Sequence, residues 1–148
     1  MKNLLFIIFL IFTACSSDVV IKPAKFAFPV ESVLKTNLQG TLEEQRYSFS
    51  INLKEIYQLE FSDSSAAAGK EIRLIRDEAG YYYLTAKDFN NVYVLFPAES
   101  GFMLTKKIII PEANPTKVAF NQKSPYIELI TEKNKFLINH LGLAERAK

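Results

Sequence analysis

The chain of 148 residues has no tryptophan, one cysteine and one histidine. A single cysteine, Cys15, excludes an internal disulfide framework. With His140 as the lone imidazole there is no second histidine for a transition-metal site, so neither metal nor cofactor is expected. Neither sign of charge dominates, with 18 Lys and Arg against 16 Asp and Glu. That balance points away from nucleic acid as a partner. No apolar run approaches the roughly 20 residues that span a bilayer core, and no repeat of solenoid length or low-complexity tract is present. What the chain does have is seven tyrosines and twelve phenylalanines, a composition that suits strands.

The amino terminus is specialised. Lys2 supplies a positive charge, and Leu4 to Phe12 (LLFIIFLIF) forms an uncharged stretch of the length of a secretory signal. Small residues Thr13 and Ala14 then lead to Cys15. The sequence Phe12-Thr13-Ala14-Cys15 resembles the lipobox of bacterial lipoproteins, with Phe12 where that family usually has Leu. The resemblance implies a diacylglyceryl group on the Cys15 sulfur, removal of residues 1–14, and usually acylation of the new amino terminus. Each buried methylene contributes about 0.8 kcal/mol, so two or three chains hold stably where one would not. Ser16 stands where an inner-membrane retention signal in some bacteria has Asp, which points to the outer membrane.

Removing residues 1–14 leaves about 134 residues, the size of one domain. Residues 15–25 are expected to be the lipidated end and a tether, reaching at most roughly 33 Å over ten residues. A single β-rich domain follows over 26–148. Period-two alternation predicts strands around 47–53 and 57–61, and a hairpin of 71–76 and 81–85 turned at Asp77 to Gly80. Further strands are expected at 92–96, 102–110 and 116–120. Val92, Val94 and Phe96 on one face and Tyr93 and Leu95 on the other require cover on both sides of their strand. At the carboxy end the period changes. Ser124 can cap a helix with Pro125 at its first position, Ile127, Ile130, Leu137 and Leu141 recur at helical spacing, and Gly142 can end it. A helix over about 125–141 is therefore expected, packed on the sheet. The fold class is mainly β: an antiparallel sandwich or meander with a carboxy-terminal helix.

Gly40-Thr41-Leu42, the alternating Tyr47 to Ile51, Leu74 to Asp77 before Gly80, and Gly101-Phe102 carry a further resemblance. Residues 40–105 are similar to the bacterial pre-peptidase C-terminal domain, a small β-sandwich of secreted proteins. The resemblance implies an accessory, non-catalytic module.

Candidate sites are few. His140, in the last turn of the expected helix, suits an interaction with the helix end better than a role as base. A Ser–His–Asp triad would have to use it, yet no serine has a glycine-flanked elbow. Asp63 with Ser64 and Ser65, or Asp88 with Asn90 and Asn91, offers oxygen ligands without the spacing of a calcium loop. Tyr81, Tyr82, Tyr83 and Tyr93 form the one candidate recognition surface. Exposed rings there would stack on a sugar or a peptide; cross-strand packing is the competing use. The reading is a lipid-anchored accessory or binding protein of the bacterial envelope, not an enzyme, with membrane lipid held through Cys15 and an envelope protein or polymer as partner. A surface adhesin and a small hydrolase built on His140 are the alternatives.

Overall fold

The computed structural model describes residues 26–144; Cys15 and the segments expected to be signal and tether lie outside the described residues. Eleven strands are β1 (Ser32–Lys35), β2 (Thr41–Glu44), β3 (Phe49–Asn52), β4 (Glu71–Arg76), β5 (Tyr82–Ala86), β6 (Asn91–Ala98), β7 (Gly101–Ile109), β8 (Val118–Lys123), β9 (Tyr126–Thr131), β10 (Lys135–Asn139) and β11 (Gly142–Leu143). One α-helix, α1 (Lys54–Phe61), and a short 3-10 turn at Ser64–Ala67 separate β3 from β4. The strands make a five-stranded sheet in the order β1-β4-β5-β6-β7, a four-stranded sheet β11-β10-β9-β8 and the β2-β3 pair. Every pairing is antiparallel. The chain is mainly β, as expected.

The central hairpin forms where the alternation and turn chemistry placed it. Leu74 faces Leu84 and Ile75 faces Tyr83 across β4 and β5, and Gly80 turns the chain at φ +98°. A side chain at that position would also crowd the Arg76 guanidinium at 3.2 Å, adding to the preference for glycine that the positive φ sets.

Two expectations are corrected. Residues 57–61 are helix, not strand. The Asn52 side chain accepts the Lys54 N–H at 3.0 Å, and Ser62 closes the helix in the left-handed region, its N–H bonding the Gln58 carbonyl. Between them lie Lys54, Glu55, Gln58 and Leu59, all good helix formers. Ile56 and Tyr57 are buried while Leu59 stays 54 % exposed, which period-two alternation would not allow. At the other end, residues 125–141 are not a helix. They form β9 and β10, joined through Thr131 and Asn134, whose backbones and the Thr131 hydroxyl bond one another. β-branched Ile127, Ile130, Thr131 and Ile138 favour the pleated surface. The Asn139 side chain accepts the N–H groups of Leu141 and Gly142, and Gly142 at φ +142° turns a hairpin instead of ending a helix.

β6 is covered on both faces, by a second sheet on one and by a helix on the other, but the helix is α1 and not a carboxy-terminal one. On the Tyr93 face lies α1: Tyr93 donates to Glu60 at 2.6 Å, and the Tyr57, Phe61 and Tyr93 rings all meet Phe89. On the Tyr83 face lies the four-stranded sheet, with β4 against β8. Glu31 links the two layers, accepting from Arg73 at 2.6 Å and from the Phe120 N–H at 2.7 Å. Phe28, Leu74, Leu84, Tyr93, Ile127 and Leu129 belong to one continuous core.

Candidate functional site

An aromatic groove of about 560 Å³ lies where the described chain begins. Phe26 and Tyr47 form one wall, and Phe49, Tyr82 and Phe102 the other. The second wall is a closed triangle of rings: Phe49 and Tyr82 are 5.4 Å apart, Phe49 and Phe102 5.2 Å, Tyr82 and Phe102 5.0 Å, all edge to face. Such contacts contribute about 0.5–1.5 kcal/mol each beyond burial. Their source is strand parity. Tyr82, Leu95 and Phe102 fall on one face of the five-stranded sheet through the β5–β6 and β6–β7 registers, and β3 lies against β7 there.

The first wall is held from below by Arg76. Its guanidinium lies 4.6 Å from the Phe26 ring centre and 5.5 Å from that of Tyr82, within the range of cation–π attraction. Its Nη1 donates to the Phe26 carbonyl, and its own carbonyl accepts the Phe28 N–H at 2.9 Å. Phe28, 1 % exposed, stacks on Tyr47 with centroids 4.1 Å apart. Burying one such phenylalanine contributes about 1.5–3 kcal/mol. Residues 26–28 are thereby fixed at the rim. Phe26 itself stays 40 % exposed. Among the described residues Arg76 is the one charged group in the lining; Ser50 and Ser100 add hydroxyls at the mouth. Burial raises the Tyr82 hydroxyl above its ordinary pKa, with the Arg76 charge pulling the other way.

Of the four tyrosines expected to form a recognition surface, Tyr82 alone reaches this groove, and it is 7 % exposed. Tyr83 and Tyr93 are fully buried and donate to Asp77 at 2.7 Å and Glu60 at 2.6 Å. Tyr81 is half-buried between Phe96 and His140. Cross-strand and inter-sheet packing uses these rings, so they do not make a common exposed face. Sequence reasoning missed Phe26, Tyr47, Phe49, Phe102 and Arg76. Tyr47 and Phe49 were legible as apolar positions, but no local signal shows residues so far apart meeting.

His140 is at a hairpin turn, its ring flat on Tyr81 with centroids 4.4 Å apart and planes 4° apart. A shallow pocket of about 320 Å³ brings it near Asp77, Glu78 and Ser124. The Asp77 carboxylate is taken by the Tyr81 N–H and the Tyr83 hydroxyl, and Ser124 donates to Glu78 at 2.9 Å. A relay through His140 would have to give up these bonds. Asp63 caps the 3-10 turn through Ser65, and Asn91 binds Glu60. Among the described residues no group of three or more His, Cys, Asp or Glu is placed to hold a metal ion, and no helix is long and apolar enough to cross a membrane. No family model, curated protein or solved structure matches the chain.

Proposed function

We propose that the protein is a lipid-anchored binding protein of the bacterial envelope, held by acyl chains on Cys15, with the aromatic groove as its recognition element. It contributes placement, not bond-making, and the outer membrane is its site. The observation that carries this reading is the fixing of residues 26–28 at the groove rim by Arg76 and Tyr47. Ten residues separate Cys15 from that rim, a reach of at most roughly 33 Å. An acylated cysteine would thus hold the domain within that reach of the bilayer. The lining suits recognition: rings supply rigid apolar contact at little entropic cost.

Fractionation of cells expressing the parent and Cys15→Ala proteins tests the anchor. The parent is expected in the membrane fraction and Cys15→Ala in a precursor or soluble form. Identical membrane recovery of both, with the same amino-terminal processing, would overturn it.

A further inference from the structure

We infer that the pocket beside His140 binds a primary ammonium group at the end of an aliphatic chain, as a lysine side chain carries it. This site is separate from the aromatic groove and does not depend on the anchor. Three hairpin turns build it: Asp77 and Glu78 come from the β4–β5 turn, Gln122 and Tyr126 from the β8–β9 hairpin, and His140 from the β10–β11 turn. Its volume of about 320 Å³ lies at the small end of ligand-sized cavities. Among the described residues it is lined by two carboxylates and by no Lys or Arg. Glu78 is exposed, and its one bond among those residues comes from the Ser124 hydroxyl to Oε1, which leaves Oε2 to accept from a ligand. Asp77 accepts from neutral donors, the Tyr81 N–H and the Tyr83 hydroxyl, so its charge still attracts a cation. The third acceptor is the one that asks for a ligand. Gln122 Oε1 is buried with no hydrogen-bond partner, a cost that a donor entering the pocket removes. An ammonium brings three N–H donors, one for each of Glu78, Gln122 and Asp77, while Pro125 and Tyr126 give its methylenes an apolar wall. Other occupants fit less well. An anion would meet two like charges. A metal ion finds no group of three or more ligating side chains among the described residues. A neutral sugar would use the acceptors and gain nothing from the charges.

The test uses the whole gene product, expressed and processed in a bacterium, labelled with nitrogen-15 and purified in a neutral detergent. N-acetyl-lysinamide is titrated against it, with N-acetyl-norleucinamide as the match lacking the amine and glucose as the neutral polyol. Saturable shifts are expected with the lysine probe alone, centred on the Gln122 side-chain amide and the backbone amides of Glu78 and Ser124. Added salt should weaken the binding. Glu78→Gln and Gln122→Leu should each weaken it several-fold, and Leu59→Ser on α1, outside this pocket, should leave it unchanged. Glu78→Gln changes an exposed side chain and carries the test should Gln122→Leu fold poorly. Equal shifts with the norleucine probe, saturation by glucose in place of the amine, affinity unchanged in both pocket variants, or no saturable shift with the lysine probe would overturn the inference.

Discussion

The Arg73 guanidinium meets Glu31 at 2.6 Å, while the other Glu31 oxygen accepts the Phe120 N–H from the opposite sheet at 2.7 Å. One half-buried carboxylate thus joins β4 to β8. Arg73 also pairs with Glu71 at 2.9 Å, but that carboxylate is 62 % exposed. Removing Glu31 leaves an amide and a guanidinium short of partners at a sheet–sheet contact, a loss of about 1–3 kcal/mol. Removing Glu71 breaks a solvated pair contributing about 0–1 kcal/mol. Urea unfolding of Glu31→Ala and Glu71→Ala should therefore rank them in that order; equal losses would mean that Glu31 does not couple the layers.

Four tyrosines make the fold sensitive to alkali. Burial pushes the Tyr57 hydroxyl up to about 12 and raises Tyr82, Tyr83 and Tyr93 as well. Hydrogen bonds to Asp77 and Glu60 add to the rise at Tyr83 and Tyr93. Each folded-state pKa lies above the unfolded value of about 10. The stabilising effect is therefore complete below about pH 10 and is lost as pH climbs through the folded values, for Tyr57 between about 10 and about 12. Urea midpoints should fall steeply across that window, with tyrosinate absorbance appearing together with unfolding. Midpoints that stay flat there would contradict the buried placement of these hydroxyls.

β7 is a long edge strand, and Met103, Leu104 and Ile109 are exposed along it. Such an edge invites pairing with another chain. A register shift between Val94 and Leu95 and the adjacent exposed Lys106 and Lys107 are the features that blunt it. The Lys106→Val, Lys107→Val double variant should shift to larger species in size-exclusion light scattering at concentrations matched to the parent. An unchanged profile would show that the lysines do not guard the edge.

The carboxy-terminal hairpin and the expected helix assign opposite roles to Leu141. In a helix over 125–141, Leu141 would face the sheet. In the hairpin, Ile138 is fully buried and Leu141 is 71 % exposed. Ile138→Ala should cost about 2–5 kcal/mol, and Leu141→Ala no more than about 0.5 kcal/mol. A loss for Leu141→Ala as large as that for Ile138→Ala, read from denaturation midpoints, would favour the helix.

Local signals were legible where a turn and two alternating runs agreed, as at Glu71 to Ala86. They misled where one pattern had two readings. Ser124-Pro125 and Gly142 match the ends of a helix, yet Gly142 serves a tight hairpin with Asn139, and the β-branched residues between decide for strands. Tyr57, Leu59 and Phe61 alternate, but Asn52 and Ser62 mark the ends of α1 around them. The groove was not legible because Phe26, Tyr47, Tyr82 and Phe102 come from four separate segments, brought together only by sheet order. Repeated tyrosines at 81–83 drew attention to themselves, although tertiary packing consumes most of their surface.

The membrane anchor depends on what the Cys15 sulfur carries. Intact-mass and fragment analysis of the amino-terminal peptide from membrane-purified protein reads it directly. The expected result is a chain starting at Cys15 with a diacylglyceryl thioether and, in hosts that acylate the amine, one further acyl chain. A free thiol, or a peptide still joined to residues 1–14, would contradict it.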